Sequence, residues 1–280
     1  MSEVRIKVRK ASGEKEVFSE EKLRNSLERS GASAAMVDAI VDEIRDYLHD
    51  GIATKEIYKK AFQLLRRRVR SNAARYSLKK AIMELGPTGF PFEQFIGELL
   101  KKQGYSVEVG IILQGKCVQH EIDVLAKKGD EVVIAECKYH NSQGKICSVQ
   151  IPLYINSRFN DIEVVWCSEK ENENKYFRGW VVTNTRFSKD AEDYGSCAGL
   201  RLVAWDYPRK GSLKEMIESA GLFPITVITG LNAKQKQRLL EKNIVLCSEL
   251  CNNPGLLAQL DLTKKKQEKV MEEVSQICVS

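Results

Sequence analysis

Two opposite charges stand two residues apart inside an apolar run: Glu136 and Lys138 of Glu131-Val-Val-Ile-Ala-Glu-Cys-Lys138. Such a run is the pattern of a buried strand, and side chains at i and i+2 of a strand share a face. An acid and a base are therefore held side by side at the edge of a core. Asp123 lies 13 residues before Glu136, across the turn sequence Lys127-Lys-Gly-Asp130. Two strands joined by such a turn bring their carboxylates together. Glu93, on the helix that precedes both strands, adds a third, with Glu98 as the alternative inward carboxylate of that helix. Convergent carboxylates repel unless a positive group sits among them. An all-oxygen donor set favours Mg²⁺ or Mn²⁺. With Lys138 to orient or deprotonate a water, or to steady a pentacovalent phosphate, the chemistry that fits is phosphodiester hydrolysis. His120 and His140 flank this group as strand-end hydrogen-bonding side chains, His140 also as a candidate substrate contact.

The elements that must position these residues are legible in the periodicity. Phe92, Phe95, Ile96 and Leu99 recur at helical spacing, so 92–103 reads as an amphipathic helix ended by Gly104-Tyr105. Strands follow from Val107, over 121–126 and over 131–137, then a helix near 148–160, a strand at Trp180-Val-Val-Thr-Asn184, a helix over 189–194 and a strand over 200–205. This order describes an α/β layer with a mixed sheet. Gly110-Ile-Ile-Leu-Gln-Gly-Lys116-Cys117 imitates a phosphate loop. Its bulky interior, its cysteine in place of the Mg²⁺-binding hydroxyl and the strand that follows exclude that reading.

Before this layer, Val4, Ile6 and Val8 alternate with basic residues, Ala11-Ser-Gly13 makes a turn, and Val17-Phe18 begins a return strand. Ser19 then caps a first helix, helices follow over 34–49, 54–70 (capped by Thr54) and 71–85, and Gly86-Pro87 stops the last. Residues 3–85 resemble the ATP-cone in Val8-x-Lys10-x-x-Gly13, Val17-Phe18-Ser19-x-x-Lys22-Leu23, Thr54-x-x-Ile57 and Tyr76. The resemblance implies ATP or dATP as a regulatory ligand, with Lys10 and Lys22 near its phosphates. The chain departs from the family at Ala11 and Ser12, where a basic and an acidic residue are usual.

Phe92-Glu93, Gly104-Tyr105, Glu121-Ile-Asp123-Val124, Glu136-Cys-Lys138-Tyr139 and Val182-Thr-Asn-Thr-Arg-Phe-Ser188 with Ala191 resemble the PD-(D/E)xK nuclease core. The version is that of Mrr-like type IV restriction endonucleases and archaeal junction resolvases. The resemblance covers about 90–207 and implies a restriction-endonuclease-like core, with Asp123 and Glu136 as metal ligands, Lys138 as catalytic lysine and Glu93 as the assisting helix carboxylate. Gln150 matches a polar position of the next helix and is a candidate substrate contact. Glu121 replaces the Gly or Pro that usually precedes the acidic motif.

The chain thus reads as three segments: an ATP-cone-like domain (1–87), an endonuclease-like domain (88–220) and a helical module (221–280). The last is helix-hairpin-helix-like, with turns that could offer amides to phosphates, or else an interaction module. Nineteen basic against 13 acidic residues in 1–87 give +6, 88–220 carries −2 and 221–280 +2. The basic ends suit a polyanionic partner. Eight scattered cysteines without Cys-x-x-Cys predict reduced thiols, not a zinc site. With no apolar run near the roughly 18 residues of a membrane span and no secretory pattern at Met1–Lys7, the expected place is the cytoplasm. The expected protein is a Mg²⁺-dependent DNA endonuclease, regulated by nucleotide and homodimeric, acting in defence against foreign or modified DNA. Its alternatives are an inactive nuclease fold that senses nucleotide and holds nucleic acid, and a junction-resolving nuclease.

Overall fold

The computed structural model describes residues 6–10, 13–142, 144–172 and 174–278. Alternation in the first segment builds a hairpin of β1 (Lys7–Arg9) and β2 (Lys15–Val17), antiparallel, with Val8 the buried member. Val4 and the turn residues Ala11 and Ser12 lie outside the described residues. Ser19 caps α1 (Glu20–Arg29) by accepting from the Lys22 N–H, and Ser33 caps α2 (Ala34–Arg45) in the same way; such caps are each worth about 1 kcal/mol. Thr54 is the first residue of α3 (Thr54–Arg68) and not its cap; Ala53 takes that place and offers no side-chain acceptor. Extended Val69 breaks the chain before α4 (Arg70–Tyr76), and α5 (Leu78–Met83) follows.

Leu27, Ile40, Ile44, Ile52 and Leu65, all fully buried, form the core of this part with Val8 and Leu23. Burial of each such side chain contributes about 1.5–3 kcal/mol.

The layer beyond opens with α6 (Phe90–Lys102), whose buried face holds Phe92, Phe95, Ile96, Leu99 and Leu100. Then come β3 (Ser106–Gln114), β4 (Gln119–Lys128), β5 (Glu131–Lys138), β6 (Ile146–Cys147), α7 (Gln150–Trp166), β7 (Tyr176–Thr183), β8 (Arg186–Phe187), α8 (Lys189–Cys197) and β9 (Arg201–Val203). The main sheet runs β3-β4-β5-β7-β9; the first two pairings are antiparallel and the last two parallel. It is a mixed sheet, as the order of predicted elements implies. The strand predicted over Trp180–Asn184 begins earlier, at Tyr176, and ends at Thr183. The imitation phosphate loop is the end of β3 and the turn into β4, with no helix after it.

β3 changes sides halfway. Val107 and Val109 lie against Gly97 of α6. Ile111 and Leu113 pack instead with Ile134, Phe159 and Ile162, on the face that α7 covers. Between them stands Gly110, at φ +67°, opposite Asp123 in the ladder. A glycine takes that backbone conformation without strain, and the strand inverts its faces there.

The last stretch adds α9 (Leu213–Ala220), α10 (Ala233–Leu240), α11 (Cys247–Asn252) and α12 (Lys264–Cys278). By packing, the chain divides into two compact units. One holds residues 1–80, 227–232 and 250–280, the other 81–226 and 233–249. Residues 221–280 are divided between these two units by packing.

The turns of this stretch satisfy their own amides. Thr229 and Gly230 N–H donate to the two oxygens of Glu273 (2.6 and 3.0 Å), and Val245 and Leu246 N–H to Glu249 (2.8 and 2.7 Å). These amides are therefore not the phosphate donors that a helix-hairpin-helix reading requires. Cys251 and Cys278 form a disulfide, contrary to the all-thiol expectation. Their 27-residue separation carries no motif; the packing of the helices brings them together. Among the described residues no helix is long and apolar enough to cross a membrane.

Candidate active site

Glu136 is nearly buried, and its carboxylate accepts from two cations. Lys138 Nζ lies 2.5 Å from Oε1, as strand spacing requires, and Arg158 of α7 lies 2.7 Å from Oε2. The Arg158 guanidinium also donates to the Glu121 carbonyl. Asp123 accepts the Cys137 N–H on Oδ2 at 2.7 Å, so the two acidic strands are joined where their regular ladder ends. Burial pushes the Asp123 carboxyl up to about 6, with the nearby Glu136 charge adding to it.

Glu93, in the first turn of α6, belongs to the same group. Its carboxyl is raised to about 7, first by burial and then by the nearby charges of Asp123, Glu121 and Glu136 in that order. Its Oε1 lies over Gly89, where a Cβ would stand 3.1 Å away. Glu98 instead pairs with Lys101 at 2.7 Å on the same helix, which makes Glu93 the inward carboxylate. The Asp123 carboxylate, opposite the change of faces at Gly110, stands within electrostatic reach of a residue on each covering helix, Glu93 on α6 and Arg158 on α7.

Three carboxylates and two cations are thereby gathered around the middle of β4 and the end of β5. Among the described residues no group of three or more His, Cys, Asp or Glu stands close enough to hold a metal ion. The group is assembled, but Glu136 is closed by its own cations. Its donors nevertheless suit a hard divalent cation: all are oxygens, and the Asp123 and Glu93 carboxyls, raised chiefly by burial, are raised also by the carboxylates beside them.

The end of β5 is held by side chains. Thr183 Oγ1 donates to the Lys138 carbonyl (2.7 Å), the His140 N–H donates to Asn184 Oδ1 (2.9 Å), and Asn184 Nδ2 donates to the His140 carbonyl (2.7 Å). Both Thr183 and Asn184 are fully buried. The Asn184 amide replaces the next rung of the ladder after Lys138↔Thr183. Tyr139 OH donates to the Met83 carbonyl at 2.6 Å, which ties the strand to the segment before α6.

The remaining candidates lie elsewhere. His140 faces Cys147, with Nε2 3.5 Å from Sγ, and burial lowers its pKa. Gln150 is exposed at the start of α7, eight residues and so about 12 Å of helix rise from Arg158. His120 pairs with Asp161 at 2.8 Å. Asp161 also accepts from the Cys117 amide (2.9 Å), which fixes the β3–β4 turn to α7, and a Cβ on Gly115 would collide with its Oδ2. In the amino-terminal unit, Lys10 and Lys22 converge on Glu16 at 2.8 and 3.7 Å, and the hydrogen bond to Glu16 raises the pKa of Lys10.

Sequence reasoning missed Arg158 and the Thr183–Asn184 clamp. The signal for the first is an arginine inside the apolar stripe Ile155, Phe159, Ile162 of α7. The second has no signal that separates it from an ordinary strand end.

Known proteins place the chain. Residues 6–82 match the ATP cone domain, and residues 223–278 match the AF1548-like C-terminal family. An uncharacterized protein of Archaeoglobus fulgidus is 30% identical over 183 residues, which is 65% of this chain and 99% of that one. The crystal structure of AF1548, a protein of unknown function, is 28% identical with a TM-score of 0.55, over 69% of this chain and 99% of that one. The MspJI restriction endonuclease, solved in complex with a 27-mer oligonucleotide, is 14% identical with a TM-score of 0.32, over 72% of this chain and 39% of that one. That likeness is too low to carry an argument. Nearly the whole length of a 30%-identical relative is matched, so the chain belongs to the same family as the Archaeoglobus fulgidus protein, with an ATP cone at its amino-terminal end and an AF1548-like segment at its carboxyl-terminal end.

Proposed function

We propose that the protein is a divalent-metal-dependent DNA endonuclease that hydrolyses phosphodiester bonds, with a core of the Mrr-like PD-(D/E)xK kind. The observation that carries this reading is the gathering of Glu93, Asp123 and Glu136 beside Lys138, with two of the carboxyls raised by burial and by neighbouring negative charge. Buried like charges are costly, and an arrangement that keeps them points to a function. Asp123, Glu136 and Glu93 would hold Mg²⁺ or Mn²⁺, which when bound supplies charge neutralisation and activation of water at the phosphodiester. Lys138, about one-third exposed and anchored through the Thr183 bond to its carbonyl, orients the attacking water and faces the charge that develops on the phosphate. Arg158 holds Glu136, the carboxylate that would ligate the cation, in its place at the end of β5.

The ATP cone makes the activity responsive to ATP or dATP, with Lys10 and Lys22 at the phosphates. Defence against foreign or modified DNA, or the resolution of branched DNA, is the setting such a pairing fits; a homodimer in the cytoplasm would cut both strands at once. The closure of Glu136 by two cations favours one second reading, a nucleotide-sensing, nucleic-acid-binding protein in which this site no longer cuts. Plasmid cleavage with Mg²⁺ or Mn²⁺ separates the two. The parent should nick or cut, and Asp123→Ala and Lys138→Ala should not; a parent that leaves the plasmid intact in both metals leaves only the second reading. For the ATP cone, millimolar ATP should raise the melting temperature, and Lys10→Ala should abolish the rise.

A further inference from the structure

The basic run Arg66-Arg67-Arg68-Val-Arg70 stands outside everything described so far. It ends α3 and opens α4, in the same compact unit as α12. The two helices α4 and α12 lie side by side and point the same way: Arg70 and Lys269 border one cleft, and Arg75 donates to the Gln276 carbonyl one to two turns further along. Helical spacing places Lys265 and Lys266 one turn before Lys269, on its face. The cleft measures about 320 Å³ and its other walls are Arg68, Val69, Glu272, Glu273 and Gln276.

The cations here fall into two classes. Arg68 pairs with Glu43 at 2.6 Å, and Arg66 donates to the Thr229 carbonyl. Arg67, Arg70, Lys265, Lys266 and Lys269 are exposed and form no ion pair among the described residues; Arg67 feels only the Glu43 carboxylate that Arg68 already binds. The acids nearby do not offset them. Both oxygens of buried Glu273 are taken by the amides of Thr229 and Gly230, which leaves Glu268 and Glu272. Moreover, the first turn of α12 is Lys264-Lys-Lys266 with no acidic residue. The helix dipole disfavours cations there, and a local rule broken without internal compensation marks a surface that serves something outside the chain.

We infer that this face of the amino-terminal unit, with Arg67, Arg70, Lys265, Lys266 and Lys269 across two parallel helices, binds the phosphate backbone of duplex DNA. No aromatic side chain lines the cleft on which a base or a nucleoside could stack. A row of exposed point charges reads repeated phosphates and not bases. The choice of DNA rests on the phosphodiesterase reading of the carboxylate site; the array of cations does not.

The test is fluorescence anisotropy of the full chain with a labelled duplex of about 30 base pairs in EDTA, across a salt series. Binding is thereby read without cleavage. Arg67→Ala/Arg70→Ala/Lys265→Ala/Lys269→Ala should weaken binding by about tenfold or more and flatten the salt slope by about 0.9 for each phosphate no longer neutralised. The same charge removed from the other unit, as Lys116→Ala/Lys170→Ala/Arg209→Ala/Lys210→Ala, should change neither. An equal loss in both sets would reduce the effect to net charge and overturn the proposal, as would unchanged binding in the first set. Binding of RNA but not duplex DNA would overturn it too. If the fourfold variant does not fold by circular dichroism, Lys265→Ala/Lys269→Ala, confined to the exposed face of α12, is read in its place. Binding is read in EDTA and cutting in Mg²⁺ or Mn²⁺, so failure to cut plasmid and failure to bind here are separate results.

Discussion

Glu93 and Asp123 are carboxyls whose folded-state pKa values, about 7 and about 6, stand above their free values of 4.5 and 3.8. The sign of the consequence follows from linkage. The unfolded chain ionises first, so the stability from these groups is complete below their free values and is lost as pH rises through about 6 and 7. In EDTA the melting temperature should therefore fall from about pH 5 to about pH 8, and Glu93→Gln with Asp123→Asn should flatten that fall. At the higher pH, Mg²⁺ or Mn²⁺ should raise the melting temperature of the parent and leave Asp123→Asn unmoved; no metal-induced rise in the parent would remove the metal site. Arg158 tests the other partner. Arg158→Ala leaves Glu136 with one cation instead of two, and by the cost of breaking buried pairs it should lose about 2–4 kcal/mol in urea denaturation. Arg158→Lys should recover part of that, because its single ammonium can keep the bond to Glu136 but not the fork to the Glu121 carbonyl.

Strands and helices bring these residues to one place, and two local devices decide how well. The inversion of β3 at Gly110 lets apolar side chains face α6 before it and α7 after it, with Asp123 opposite the change. The Asn184 amide extends the β5–β7 pairing by one rung, to His140. Asn184→Ala would leave the half-buried His140 N–H and carbonyl without these partners. That should cost about 2–3 kcal/mol, and hydrogen exchange should quicken at His140 before it does in Val132–Ala135; protection equal to the parent's would show that the clamp contributes nothing.

Across the whole molecule, the two compact units do not follow the order of the chain. Residues 250–280 belong with 1–80, and α12 buries Val270, Val274 and Ile277 within that unit. A chain ended after residue 220 therefore strips its amino-terminal unit of a packed helix, although the truncation leaves residues 6–82 intact. That unit should melt well below its temperature in the full chain, with a loss of about 4.5–9 kcal/mol for the three apolar side chains removed. Independent melting at the parent temperature would instead establish that the ATP cone is complete without α12. The uneven charge, +6 in residues 1–87 and −2 in 88–220, would draw a polyanion to the amino-terminal part of the chain more than to its middle.

What the sequence by itself determined were the things encoded in near neighbours. The i, i+2 relation of Glu136 and Lys138, the apolar stripe of α6, the Ser19 cap and the mixed sheet all follow from period and turn chemistry, which act within a few residues. The ATP-cone resemblance rests on the same kind of local pattern, and the match over 6–82 agrees with it. Only the tertiary structure decided which of Glu93 and Glu98 points inward, since both lie on one amphipathic helix and only packing against the sheet distinguishes them. Arg158, 22 residues after Glu136, was hidden for the same reason. The pairing of Cys251 with Cys278, the claim of Glu273 on the 229–230 amides and the transfer of α12 to the amino-terminal unit join residues far apart in the chain. No periodicity records such pairings, because they are set by burial of shared surface and by the need of buried polar groups for partners.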